Sequence, residues 1–205
     1  MIKTQMRPKT QRNIFLRLAL SIILAGAAFA GETERKFSID INYNRNDFML
    51  KIKPIDYTFL TKTRRIDLLA GKRFRSGVGD FKVFGYLKID NKDRSWLGTR
   101  LNYGRKALGD RLLLDLELRF FQGLNGKSKN HVYVIPSAYY ALDKNGGFLI
   151  GASGYGKKIV GEKPFFYLGV DAWIRLVKHV RTLVSYSLDT YGAGPMVWWI
   201  FSIDL

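Results

Sequence analysis

The chain has two histidines and no cysteine, so it offers few side chains for metal binding or acid–base catalysis. His131 begins an apolar segment, and His179 lies within the basic stretch 178–181. Neither histidine has a second metal-ligating residue at the spacing of a local zinc site. We therefore predict no metal site and no cofactor.

A serine hydrolase is the one catalytic arrangement that the residues around His131 allow. Ser128 or Ser137 would supply the nucleophile, and Asp143 or Glu162 would supply the acid. Catalytic triads are recognised by geometry, however, and no spacing in this sequence demands that these residues meet. We expect that the protein is not an enzyme and that both histidines are ordinary residues near strand ends.

A glycine-rich segment, Gly151-Ala-Ser-Gly-Tyr-Gly-Lys-Lys158, approximates the phosphate-binding pattern G-x4-G-K-[ST]. Lys158 stands where that pattern needs a magnesium-binding hydroxyl. The following segment, 159–164, has the composition of a loop, whereas the phosphate site needs a helix N-terminus. The pattern therefore predicts no nucleotide binding, and we expect the glycines to relieve crowding in a curved strand.

The N-terminal segment has the three parts of a secretory signal peptide. Residues 1–17 contain five basic residues and no acid, an apolar run follows over 18–30, and Ala28-Phe29-Ala30 resembles a cleavage site. The apolar run is too short to span a bilayer, which needs about 20 residues. We predict a cleaved signal at 1–30 and one mature domain at 31–205, exported through the secretory pathway without a lipid anchor or disulfides.

The mature segment is strongly basic. All 17 acidic residues follow residue 30, where 29 of the 34 lysines and arginines also lie, so basic residues exceed acids by 12. Such an excess favours anionic partners, although it says nothing about the fold. Because no nucleic-acid-binding motif accompanies the charge, and the signal directs the chain out of the cytosol, we expect no nucleic-acid partner.

Apolar and polar residues alternate with a period of two through most of the mature segment, which indicates β-strands exposed to different solvents on their two faces. In 111–121, for example, five large apolar residues occupy the even positions while Asp115, Glu117 and Arg119 occupy odd ones. The predicted strands are 36–44, 47–53, 55–61, 65–75, 80–90, 95–104, 111–121, 131–142, 147–156, 164–175, 182–188 and 197–205.

The connections between these strands have two lengths. Tight turns are predicted at 76–79 and 143–147, and longer links at 122–130, 157–164 and 190–195. If Leu205 lies on the periplasmic side, all three longer links lie on the outer side, which is the asymmetry of outer-membrane barrels. Twelve strands would also place Lys36 on the periplasmic side. Because 47–61 reads equally as one irregular strand, the predicted number is twelve within a range of eight to twelve.

The C-terminal segment 197–205 resembles the last strand of bacterial outer-membrane β-barrel proteins. Val197, Trp199, Phe201, Ile203 and Leu205 are apolar at alternate positions counted from the end, although Leu205 replaces the usual phenylalanine. The resemblance implies an all-β, closed antiparallel transmembrane barrel in the outer membrane, monomeric and inserted by the assembly machinery that reads this strand. A water-soluble β-sandwich or lipocalin-like barrel is the alternative.

Strand parity places charges of both signs inside such a barrel. A basic lining would favour small anionic solutes, by analogy with small anion-selective porins. The predicted channel-lining residues are Lys51, Lys53, Arg73, Lys82, Lys88, Arg100, Arg119 and Arg175. In a narrower barrel the same charges would pair with acids and close the lumen.

Further basic residues lie at strand ends and predict contacts with anionic lipid and lipopolysaccharide phosphates. They are Lys92, Arg94, Lys127, Lys129, Lys157, Lys158 and Lys163. The sequence thus supports a narrow channel for small anions, or alternatively a plugged barrel that binds lipopolysaccharide or a partner through basic loops. An enzyme that modifies lipid A or hydrolyses phospholipids is the third alternative.

Overall fold

The computed structural model describes residues 34–59, 61–143, 146–190 and 194–205. The predicted signal peptide and parts of the predicted links 143–147 and 190–195 lie outside the described residues. The described chain forms eleven β-strands and no helix. These are β1 (Glu34–Arg45), β2 (Phe48–Thr58), β3 (Thr63–Ser76), β4 (Gly79–Asp90), β5 (Ser95–Ala107), β6 (Leu112–Gly123), β7 (His131–Ala141), β8 (Phe148–Ile159), β9 (Phe165–Val177), β10 (Val180–Asp189) and β11 (Pro195–Asp204).

The strands form one closed barrel, which confirms the predicted fold class. Each strand pairs antiparallel with the next along the chain, and β1 pairs with β11 in parallel. An odd number of strands in up-and-down order leaves the first and last running in the same direction, so the closing pair cannot be antiparallel. The structure thus has one strand fewer than twelve, within the predicted range, and a mixed rather than wholly antiparallel sheet.

The difference of one strand arises at Pro54. The single strand β2, Phe48–Thr58, runs through most of the two segments predicted as 47–53 and 55–61, as the irregular-strand alternative had it; residue 60 lies outside the described residues. Pro54 has no N–H to donate to a sheet ladder. The register shifts beside it on both sides, between Ile39 and Ile41 of β1 and between Lys53 and Asp56 of β2. The strand therefore bulges past the proline and continues.

The two ends of the barrel differ in their connections. One end, which we call the tight-turn end, carries connections 46–47, 77–78, 108–111, 142–147 and 178–179 together with Leu205. The other, the loop end, carries connections 59–62, 91–94, 124–130, 160–164 and 190–194. The three longer predicted links thus share one end. Lys36, near the start of β1, also lies at the loop end, opposite Leu205, because the strand number is odd rather than even.

The inside of the barrel is filled with side chains. A buried apolar cluster near its middle consists of Leu69, Phe84, Tyr86, Trp96, Phe121 and Tyr133, with Met49, Ile135 and Tyr155 packed against it. Two of the rings lie over glycines of a neighbouring strand. A Cβ on Gly98, for instance, would stand 2.2 Å from the carbonyl oxygen of Phe120 and 2.7 Å from the ring of Phe121. Glycine at this position therefore makes room for the aromatic filling.

The outward face carries no charge and is largely apolar over the middle of the strands. Ile66, Leu97, Leu116, Leu168 and Val170 are each between 39% and 56% exposed, although all are large aliphatic residues. Charged outward positions occur only towards strand ends: Arg35, Arg45, Arg64, Lys72, Arg105 and Lys158. Soluble monomers rarely expose contiguous apolar areas of this extent.

Outward aromatic residues lie towards both ends of the barrel: Phe37, Tyr57, Phe120, Phe166 and Tyr186 are nearer the loop end, and a second group is nearer the tight-turn end. Phe74 pairs with Phe81 and Phe81 with Tyr103 on three successive strands, and the last two rings are 4.8 Å apart. Further outward rings at this end are Tyr43, Phe48, Tyr140 and Phe148. Aromatic girdles of this kind flank the apolar band of membrane barrels.

Candidate functional site

All eight predicted channel-lining residues lie on the inward face of the barrel, but five of them form ion pairs with inward carboxylates. Asp40 is held between Lys51 and Lys53, with Nζ–O distances of 2.5 Å and 3.1 Å. Arg73 pairs with Asp80 near the tight-turn end. These lysines and Arg73 are therefore paired with carboxylates of neighbouring strands and do not line the lumen as free cations.

Glu117 is the centre of the most extensive of these networks. Its carboxylate lies 2.5 Å from Nη2 of Arg100 and also pairs with Arg119. The Asn102 side-chain amide donates a hydrogen bond to the same carboxylate at 3.0 Å. Glu117 is only 6% exposed. One carboxylate thus neutralises much of the charge of two guanidinium groups away from water, where an unpaired charge is costly.

A second network crosses β2, β3 and β4. Arg65 pairs with Asp56, and its Nε lies 3.1 Å from the Asp67 carboxylate. The Tyr86 hydroxyl donates a hydrogen bond to Asp67 from the opposite side. Asp67 and Tyr86 are among the most deeply buried side chains of the barrel. The network fixes the tyrosine in the middle of the lumen.

Lys88 has no carboxylate within ion-pair distance among the described residues, and aromatic rings surround its ammonium instead. Its ammonium lies 4.0 Å from the ring centroid of Phe121 and 4.6 Å from that of Trp96. A third ring, Tyr133, lies 5.4 Å away. The Lys88 side chain is thus enclosed in an aromatic box, where cation–π contacts replace an ion pair.

His131 forms the remaining wall of this box. Its Nε2 lies 2.8 Å from Nζ of Lys88, and its Nδ1 lies 2.9 Å from the carbonyl oxygen of Lys129. A carbonyl only accepts hydrogen bonds, so Nδ1 carries a proton and donates to it. Nε2 is then left to accept from the Lys88 ammonium. Both ring nitrogens of His131 are therefore engaged.

The residues of the hydrolase alternative are not brought together. Ser137 lies six residues from His131 on the same strand, a separation of about 20 Å. Asp143 lies at the opposite end of the barrel. The Ser128 hydroxyl hydrogen bonds to the Ser95 N–H, and Glu162 pairs with Lys129. None of these groups contacts the His131 ring.

A small cavity adjoins the aromatic box in the part of the lumen nearer the loop end, and Lys88 and Tyr133 belong to both. Lys36, Arg65, Lys88 and Arg119 line it, together with the single carboxylate Asp56. Its remaining walls are aromatic residues and Thr58. This inner basic cavity thus brings together cations from four strands, β1, β3, β4 and β6.

All seven predicted lipid-contact residues lie at the loop end. Lys157 and Lys158, however, belong to strand β8, which continues to Ile159, rather than to a loop. Lys157 points inward and stacks over Tyr133 and Phe165 at 5.3 Å and 5.6 Å, so it does not contribute to the outer surface. The remaining six form what we call the basic rim: Lys92, Arg94, Lys127, Lys129, Lys158 and Lys163.

Half of the basic rim is paired with acids. Arg94 pairs with Asp90 at 2.6 Å, Lys127 with Asp93 at 3.1 Å and Lys129 with Glu162 at 2.9 Å. Lys92, Lys158 and Lys163 make no ion pair with the described residues. Lys158 donates a hydrogen bond to the carbonyl oxygen of Glu162, but none of these three ammonium groups has its charge neutralised by an acid among the described residues.

The aromatic box and the inner basic cavity were not predicted from the sequence. Their members come from several strands and meet only through the register of the barrel. The sequence holds one indication of the box. Lys88 of β4 pairs with Trp96 of β5 across the connection 91–94, and Phe121 of β6 pairs with His131 of β7 across the connection 124–130. Both pairs lie on the inward face near the loop end. Whether they meet depends on the register between β5 and β6, which alternation alone does not specify.

No match to known proteins was found. No family model matches the chain, and neither a curated protein nor a solved structure does. In the described ranges, no three His, Cys, Asp or Glu residues are grouped to hold a metal ion. The same ranges contain no helix of the length and apolarity needed to cross a membrane. Function must therefore be inferred from the geometry of the barrel.

Proposed function

We propose that the protein is an outer-membrane β-barrel with a closed lumen, which holds phosphorylated lipid at its basic rim. The outward apolar surface is the observation that carries the membrane assignment. It continues around the middle of the strands, and charges are confined to their ends. Strands of 10 to 14 residues are long enough for a tilted membrane crossing, which needs about 9–11.

The filled lumen favours a plugged barrel over the narrow anion channel. Large side chains close the middle of the barrel, and most inward cations are paired with carboxylates. Barrels of about eight strands are filled by side chains, while about 16–18 strands leave an aqueous pore. A barrel of eleven strands that carries rings and paired arginines inside belongs with the filled class. Single-channel currents in a planar bilayer would be the signature of the channel instead.

The basic rim supports phosphorylated lipid as the partner. Ammonium groups bind phosphate oxygens as point charges, and the rim lies just beyond the apolar band, at the height of lipid headgroups. We further propose that the protein acts as a monomer without a catalytic role. The C-terminal strand would be read by the outer-membrane assembly machinery.

Substitution of the three unpaired rim lysines tests this function. We expect Lys92→Gln, Lys158→Gln and Lys163→Gln together to weaken binding of lipopolysaccharide to the full chain in neutral detergent by about tenfold or more, since each basic residue near an anionic surface contributes about 1 kcal/mol. Binding by the unaltered protein should also weaken when salt rises from about 0.05 to 0.5 M. Equilibrium binding to labelled lipopolysaccharide measures both effects.

The matched control removes three unpaired cations at the tight-turn end, Arg45→Gln, Arg75→Gln and Lys178→Gln. It changes the net charge by the same amount, so a purely non-specific charge effect would weaken both triple variants equally. Equal weakening, or binding that does not respond to salt, would contradict the proposed role of the basic rim.

A further inference from the structure

The inner basic cavity has room for a small ligand. The centre of a water molecule can move within about 30 Å³ of it, and one water needs about 10–15 Å³ on this measure. The cavity lies at the level of Lys36 and Thr58, which are close to the loop-end termini of β1 and β2. It therefore lies in the part of the lumen nearer the end that carries the basic rim.

The lining of this cavity has too few acceptors for its donors. Asp56 is the one carboxylate in the lining, and Arg65 already pairs both with it and with Asp67 behind the wall. Arg119 pairs with Glu117, and Lys36 has only a distant partner, Glu34, at 3.8 Å. The Lys88 ammonium has no carboxylate among the described residues.

Two buried donors in the cavity wall, the Lys88 ammonium and the Trp198 indole N–H, also indicate a missing negative charge or acceptor. Lys88 is only 4% exposed, so its charge is removed from water without an anion beside it. The indole N–H of Trp198, which also lines the cavity, is buried and has no acceptor among the described residues. Buried donors of native proteins nearly always have a partner. An anion in the cavity, which both residues line, would supply an acceptor for the indole N–H and a counter-charge for the ammonium.

We propose that the inner basic cavity binds one phosphate group, either as the free ion or as the terminal phosphate of a lipid headgroup. Guanidinium groups present a planar fork that matches two phosphate oxygens, and ammonium groups supply the remaining charge. Arg65 and Arg119 would use the guanidinium N–H groups that their carboxylates leave free, and Lys36 and Lys88 would provide the ammonium groups. This site is distinct from the basic rim and does not depend on the function proposed for it.

The test measures binding of inorganic phosphate to the full chain in neutral detergent by titration calorimetry. We expect saturable binding, and Lys88→Met should weaken it about tenfold or more, because a charge-assisted hydrogen bond is lost. Methionine keeps an unbranched side chain against the aromatic rings, so the box can still pack. Lys82→Met is the matched control, because Lys82 faces inward from the same strand but lies towards the tight-turn end; its phosphate affinity should stay within about twofold.

A second variant, Trp198→Phe, keeps an aromatic ring but removes the indole N–H, and it too should weaken phosphate binding.

Phosphatidic acid dispersed in the same detergent serves as the lipid arm. Loss of affinity in Lys88→Met for inorganic phosphate identifies the free ion as a ligand, and loss for phosphatidic acid alone identifies a headgroup. The triple rim variant should bind inorganic phosphate as the unaltered protein does. Absence of binding in both arms, or equal loss in Lys88→Met and Lys82→Met, overturns the proposal.

Discussion

Replacement of Glu117 by glutamine is expected to lower the free energy of unfolding by about 3 to 5 kcal/mol, the usual cost of removing one partner from a buried ion pair. The carboxylate is the shared partner of Arg100 and Arg119, and it also accepts a hydrogen bond from Asn102. Glutamine keeps the size and one acceptor but removes the charge, so two guanidinium groups remain in the lumen without their anion. Urea unfolding of the full chain in phosphocholine vesicles, followed by intrinsic fluorescence, measures the change.

Asp115→Asn is the matched control for this substitution. Asp115 lies two residues away on the same strand and the same inward face, but it makes no ion pair with the described residues. Its one hydrogen bond is a long contact of 3.5 Å from Asn102. We expect a change within about 1 kcal/mol, as for a single weak hydrogen bond. Equal losses in the two variants would show that the Glu117 network does not hold the lumen closed.

We expect the second large loss in the free energy of unfolding when Leu116 is replaced by arginine. Leu116 lies near the middle of β6 on the outward face and is 39% exposed. An arginine on the lipid face of a membrane barrel costs about 2 to 4 kcal/mol at the bilayer midplane. Unfolding from vesicles should therefore show a loss of that size, whereas a water-soluble barrel would tolerate the change within about 0.5 kcal/mol.

Leu108→Arg provides the comparison outside the apolar band. Leu108 lies in the connection between β5 and β6 and is 71% exposed. The backbone at this position has a φ of 51°. Arginine replaces leucine there with no change in branching at Cβ, so it adds no backbone strain. We expect nearly unchanged stability, and a penalty equal to that of Leu116→Arg would argue against a lipid-facing band.

The architecture of the barrel was predictable because one periodicity governs it. Alternation with a period of two identifies both the strand and its inward face, and it assigned Asp115, Glu117 and Arg119 to the inside. The exact strand number was not predictable, because alternation does not say whether a proline ends a strand or is passed by a bulge. At Pro54 the chain does the latter.

The contacts inside the barrel could not be predicted from the sequence, for a different reason. Which carboxylate meets which cation depends on the stagger between strands, and side chains from three or four strands meet at one height. Lys88 was assigned to the lumen, but its partners are rings and His131 rather than an acid. Parity identifies which residues face inward, whereas register and closure decide whether they form a channel or a plug.

The central claim is that the outward side chains of this barrel contact lipid while the inward ones pack together and close the lumen. The absence of native cysteine allows a single spin label to be placed without a background. Labels at Leu116 and Val184, in the middle of two separate strands, should be accessible to oxygen but not to a water-soluble nickel reagent when the protein is in vesicles. A label at Leu108 should show the reverse, and one at the buried Ser185 should be poorly accessible to both. Nickel accessibility at Leu116 and Val184 equal to that at Leu108 would contradict the account.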